Sequence, residues 1–321
     1  MFKIPIFPLE KRDQLLIFII AVIGFIARMA YLADYVNVEF FPILKGSDSY
    51  CYYVWAKDIA SGDIWGRAAF MKWPLYAYYL SLWFRLFGEN IVLVYIFQFF
   101  LGIANAILLY LIGRQIFNRS VGFIAGLLYV WYGLFIFFEG LLIYTSLSLL
   151  LNSIFFLYLF CLKNNSKIIN FFWAGLLLGV ATAAQANILV FGIIAVSCLL
   201  TGSGKGFRKI FLNFLTFILG FLIIVGGITL RNYLVEKDFV FIAGNGGINF
   251  YLGNNSQANG GFSSGPFNHS QEEMFVESKA MAKVALGKQE IKTSTVSNFW
   301  FKKSCEFIKK KSAGLFSVTF E

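Results

Sequence analysis

Long apolar runs separated by short polar breaks set the rhythm of this chain. A membrane-crossing helix needs about 20 mainly apolar residues. Seven stretches approach that, at roughly 15–34, 90–112, 121–138, 141–162, 170–186, 188–201 and 210–230. The sixth is short, and Gln185-Ala186-Asn187 places a polar hinge before it, so the fifth and sixth read as a tight hairpin. The apolar segment 74–87 (PLYAYYLSLWFRLF) is too short to cross comfortably. Pro74 suits a first helical position and Gly88 follows its end, so a helix lying at the outer interface is expected, where Tyr and Trp are favoured. The alternative is a tilted eighth span, which would invert every later loop.

After Arg231 the pattern changes. The stretch 243–266 (AGNGGINFYLGNNSQANGGFSSGP) is rich in Gly, Asn and Ser and predicts a turn-dense loop. Residues 270–286 and 294–311 then show helical spacing with exposed charge. The final SAGLFSVTFE begins an apolar stretch that does not complete a span, so a chain truncated at its C-terminus is expected. The pattern thus predicts an all-α polytopic membrane protein. Residues 1–230 form a transmembrane bundle with a first outer loop at 35–89, and 231–321 form an extracytoplasmic segment.

Composition supports the membrane reading. The chain has 321 residues, 59% of them hydrophobic and 19% aromatic, with a mean hydropathy of +0.71. Soluble domains are about half apolar. The net charge of +10 is explained by loop lysines and arginines rather than by nucleic-acid binding. Lys3, Lys11 and Arg12, then Arg114 and Arg119, then Lys163 and Lys167, then Lys205, Arg208 and Lys209 fall in alternate loops. The positive-inside rule puts those loops, and the N-terminus, in the cytoplasm. The loops at 35–73, Glu139, Gln185 and beyond Arg231 then face outward. One histidine and 4 scattered cysteines offer neither a His/Cys metal site nor a disulfide framework.

The chemistry-bearing residues gather on the outward side. Asp48 lies just beyond the first span and can act as a general base toward a hydroxyl or amine. Its plainer roles are a solvated loop acid or the N-cap of a helix over 49–61. Lys72, Arg67 and Arg231 lie at headgroup level, where an anionic lipid phosphate needs a cation. Singly, Lys72 and Arg231 read as snorkelling helix-end charges. Arg28, inside the first span, is costly there unless it is functional or reaches the interface. Glu139 is either hairpin punctuation or a second acid converging with Asp48 on one cavity. Gln185 and Asn187 lie at the same membrane level, and Asn249, Asn254 and Asn255 could hydrogen-bond a sugar or equally cap turns.

Taken in order, these segments resemble a family. GSDSYCYYVWAKDIASGDIW (46–65) followed by MKWPLYAYYLSLWFRLFG (71–88) is similar to the first outer loop of GT-C fold glycosyltransferases. The nearest branch is the dolichyl-phosphate-mannose protein mannosyltransferase and aminoarabinose transferase group. Its loop pattern matches at Asp48, Tyr52, Ala56 and the set Lys72, Pro74, Leu75, Tyr76, with Trp73 in place of a second proline. WAGLLLGVATAAQANILVF (173–191) resembles the branch's fifth span and hinge, with Gln185 where Arg or Lys is usual. RNYLVEKDFVFIAGNGGINFYLGNN (231–255) resembles the start of the outer domain in bacterial members.

The resemblance implies an inverting transfer of sugar from a polyprenyl-phosphate donor to a protein, lipid or glycan acceptor at the outer face of a cell membrane. Asp48 would be the base and Lys72 a phosphate-binding cation, with Arg231 and Arg67 beside it. Tyr52, Tyr76, Glu139, Gln185 and Asn249 would form the acceptor and sugar pocket. The chain departs from the pattern in Ser49, where a second acid is common, and in having no acid near Tyr144-Thr145. No cofactor beyond the lipid-linked donor is implied. A divalent ion could be held through the oxygens of Asp48 and Glu139. A transporter, or an inactive lipid- or partner-binding scaffold, are the competing functions.

Overall fold

The computed structural model describes residues 9–38, 43, 45–162, 167–192, 206–258, 260, 266–267 and 271–317. It is all-helical across those residues. Helices α1 (Lys11–Tyr35), α2 (Asp48–Ala60), α3 (Leu75–Phe87), α4 (Ile91–Ile116), α5 (Arg119–Trp131) and α6 (Gly133–Glu139) follow one another. Then come α7 (Thr145–Leu162), α8 (Ile168–Ala184), α9 (Phe207–Glu236), α10 (Gly246–Gly253), α11 (Gln271–Leu286) and α12 (Thr293–Ser317).

Helices α1, α4, α7 and α9 are long and apolar enough to cross a membrane. The expected third span is broken. Tyr132 takes an extended conformation between α5 and α6, and the two axes differ by 58°. Counted as one crossing, the pair makes five. Helix α8 is apolar but only 17 residues long. Of the expected sixth span, 188–192 are helical and 193–201 lie outside the described residues.

Small residues let the helices approach closely, as is common where apolar side chains face lipid. A Cβ at Gly175 or Gly220 would collide with the backbone of α9 or α8 respectively. A Cβ on Gly122 of α5 would meet the Tyr110 carbonyl of α4. At one end of the bundle, Asp13 of α1 is buried and receives hydrogen bonds from Tyr110 (2.5 Å) and Arg119 (2.9 Å), with Arg114 3.0 Å away. The ends of α1, α4 and α5 that carry the basic loop residues therefore meet on one side.

Helices α2 and α3 cover the opposite end. Tyr52, Ala56, Tyr76, Leu80 and Phe84 pack there against Tyr95, Phe99 and Leu142. The segment expected at the interface is thus α3, one half of a helical pair. Helices α10–α12 build a separate small core around Ile248, Met274, Val296 and Trp300. Residues 246–253 are helical, where a loop was expected. Gly247 packs so closely on the Ser297 carbonyl that no side chain would fit, so tertiary contact overrides the poor helical propensity. Helix α9 also runs past the expected boundary at Arg231. Asn232 accepts a hydrogen bond from the Phe70 N–H (3.1 Å) and Glu236 one from the Ala69 N–H (2.8 Å), which ties the end of α9 to the segment between α2 and α3.

Candidate functional site

Helix α2 starts after a turn at residues 45–47. Gly46 has φ +82, a conformation that favours glycine. Ser47 is the N-cap and accepts the Tyr50 N–H at 3.2 Å. The capping role considered for Asp48 therefore falls to its neighbour. The Asp48 carboxylate instead pairs with the Lys72 ammonium, donated from the segment before α3. Lys72 is 11% exposed and Asp48 44%. The Tyr52 ring lies 5.6 Å from the Lys72 nitrogen and the Phe275 ring 5.9 Å from it.

This ion pair separates two cavities. The larger, about 730 Å³, is lined by Lys72, Arg67 and Arg231, by Tyr50, Trp55 and Phe70, and by Asp58 and Asp63, with Phe275 and Val276 of α11 on one side. The smaller, about 570 Å³, is lined by Asp48 with Ser47 and Ser49, and otherwise by aromatic and aliphatic groups. Those come from the C-terminal end of α1 (Tyr31, Tyr35), from α4 (Tyr95) and from the α6–α7 region (Phe137, Phe138, Leu141, Ile143). The carboxylate and the ammonium thus line different chambers and meet at their boundary.

The three expected cations are brought together, in unequal states. Arg67 is exposed. Arg231 is 7% exposed and is largely occupied with the loop. It donates to the Ala68 carbonyl (2.7 Å) and the Trp65 carbonyl, and its guanidinium stacks 3.8 Å from the Phe70 ring centroid. Gly66 has φ +62, and a Cβ there would press on the Arg231 guanidinium. Arg231 thus shapes the chamber wall as well as charging it.

The expected acceptor and sugar pocket does not assemble as a unit. Tyr52 and Tyr76 are buried in the packing beneath Lys72. Burial pushes the Tyr52 phenol well up, helped by Tyr144 and Asp48, and burial does the same to Tyr76, so both stay protonated. Tyr52 donates to the Trp73 carbonyl at 3.4 Å. Glu139 does not converge with Asp48. It is buried inside the bundle in a bidentate pair with Arg28, at 2.7 and 2.9 Å, and Tyr129 donates to it at 3.3 Å. Gly102 leaves the room its carboxylate fills. Arg28 therefore neither snorkels nor stands alone. Gln185 accepts from the Ser148 hydroxyl at 2.8 Å, and Asn249 is exposed on α10. Neither lines the two chambers. The Asp48–Glu139 oxygen pair considered for a divalent ion is not formed, and no group of three His, Cys, Asp or Glu side chains converges among the described residues.

Reading the sequence missed Gln98, a buried amide in α4 whose only signal was one polar residue in an apolar run. The helix expected at 270–286 is present as α11, but its approach to the segment before α3 was missed, because that contact spans about two hundred residues of sequence.

Residues 71–228 match the family model of the dolichyl-phosphate-mannose-protein mannosyltransferases. The mannosyltransferase match covers just under half of the chain, from the residue before Lys72 to the C-terminal part of α9. It supports a membrane glycosyltransferase, and the apolar helices α1, α4, α7 and α9 accord with that. Asp48 and α2 precede the matched region. No curated protein and no solved structure matches the chain.

Proposed function

We propose that this protein is a membrane glycosyltransferase that takes a sugar from a polyprenyl-phosphate donor and passes it, with inversion, to an acceptor at the outer face. The observation that carries the reading is the Asp48–Lys72 pair at the boundary of two chambers, one cationic and one apolar. The donor phosphate lies against Lys72 and Arg67 in the larger chamber, with Arg231 behind the loop. Trp55, Tyr50 and Phe70 offer faces for the sugar ring. The prenyl chain runs along α1 and α3. The acceptor hydroxyl comes to Asp48 from the smaller chamber.

In the step itself, Asp48 takes the acceptor proton as the acceptor oxygen bonds to the anomeric carbon. The bond from that carbon to the phosphate oxygen breaks, and the phosphate keeps the electron pair. Lys72 and Arg67 balance the charge that develops there, which is the usual largest contribution in such transfers. The phosphate is a good leaving group, so no general acid is required. Without donor, Lys72 occupies the carboxylate. A bound phosphate competes for the lysine and frees Asp48 to act as a base.

The transporter reading rests on the number of spans and on the Arg28 charge, and that charge is met by Glu139 within the bundle. The test uses the chain in liposomes with a panel of polyprenyl-phosphate sugars, following release of polyprenyl phosphate and the anomeric configuration of the product by NMR. Turnover with inversion is expected. Retained configuration would contradict the single-displacement step, and no turnover with any donor, together with solute uptake, would favour transport.

A further inference from the structure

Gln98 lies near the outer end of α4 and is fully buried. A buried amide in a membrane-spanning helix is tolerated when its hydrogen bonds are met. Its Nε2 donates to two carbonyls, Glu139 at 2.6 Å and Leu141 at 2.8 Å. Two carbonyl acceptors fix which end of the amide is the NH₂ group. The Oε1 must then face the Tyr76 hydroxyl, which donates to it.

Each branch leads to one side of the site. On one side, the Tyr76 ring meets Tyr52 edge-on at 5.1 Å. Tyr52 holds the Trp73 carbonyl and lies under the Lys72 ammonium. On the other side, residues 139–141 lead into the wall of the Asp48 chamber, where Leu141 and Ile143 sit. Arg28 pins the same turn through Glu139. The amide is therefore the polar joint between the segment that carries the cation and the segment that walls the chamber of the base.

We infer that Gln98, acting through Tyr76, is a positioning residue that sets Lys72 against Asp48, an inference that rests on the glycosyltransferase reading. It touches no substrate. Its loss would misalign groups that must act together, and small misalignments of this kind are costly in rate.

The test compares Tyr76→Phe, Gln98→Leu and the double variant with the wild-type chain in liposomes, using whichever polyprenyl-phosphate sugar the wild type turns over. Each single variant is expected to lose about tenfold in kcat, with donor KM within about twofold of wild type. The double variant should fall no further than Gln98→Leu, because the two groups act as one unit. A role confined to fastening the α6–α7 turn predicts a silent Tyr76→Phe, and that result overturns the inference. A rise in donor KM with kcat unchanged overturns it as well. If Gln98→Leu yields no folded protein, Tyr76→Phe decides alone, since it keeps the ring. If the wild type turns over no donor, the glycosyltransferase reading falls and this inference with it. A working wild type with a working Tyr76→Phe removes only the inference.

Discussion

Asp48 and Lys72 show how little a residue type says before its neighbours are known. An aspartate at the start of a helix is ordinarily a cap. Here Ser47 performs that task, and the carboxylate is left to a lysine from a segment 24 residues further on. The lysine is mostly buried, so its charge faces a chamber wall rather than bulk water. Charge-assisted hydrogen bonds to a phosphate contribute about 1.5–3 kcal/mol each. Lys72→Met is accordingly expected to weaken binding of a polyprenyl-phosphate donor by roughly ten- to a hundredfold. Titrating polyprenyl phosphate against the intrinsic tryptophan fluorescence would measure it, since Trp55 lines the same chamber. Unchanged affinity would remove Lys72 from the phosphate site. Both residues were singled out in the sequence, where position alone favoured a cap and a snorkelling charge and only the resemblance gave them chemical roles; their pairing was not read there. Glu139 was misread for a physical reason. A hairpin acid is expected at the surface, but the bend between α5 and α6 turns it inward toward Arg28, and nothing in the local pattern announces that bend.

Helices were legible where burial and lipid demand the same thing. The apolar runs that became α1, α4, α7 and α9 needed no tertiary information. The others did. Helix α10 forms against its glycines because it packs on α12, and the third span breaks at Tyr132 although its sequence is continuously apolar. The Arg28–Glu139 pair makes that break consequential, because it joins α6 to α1 inside the bundle. Removing one partner of a buried pair leaves the other uncompensated, at about 3–5 kcal/mol, whereas removing both is often close to neutral. Arg28→Met and Glu139→Gln should each lower the unfolding midpoint in detergent, and the double variant should recover most of the loss. Equal and additive losses would mean that the two charges do not depend on each other. Purified protein followed by thermal unfolding would settle the comparison.

At the scale of the whole molecule, the ends of the helices divide into two sets. Asp13, Tyr110, Arg114 and Arg119 meet at one end of the bundle. At the other end α2 and α3 cover the core that the N-terminal part of α4 helps to build, and the C-terminal end of α9 grips the segment between α2 and α3 through Arg231, Asn232 and Glu236. The alternation of basic loops had suggested two membrane faces, and the contacts show two distinct ends of the bundle. What the alternation could not suggest is that α11 reaches back to close one side of the cationic chamber. The chemistry proposed for the molecule depends on that arrangement, with a base and a cation sharing one boundary and facing separate chambers. Its most direct test is turnover of polyprenyl-phosphate sugars by Asp48→Asn, which preserves shape and removes the base. General-base removal costs about 10²–10⁴-fold in rate, so the account predicts a loss of that order with donor binding retained. Turnover within a few-fold of wild type would contradict it.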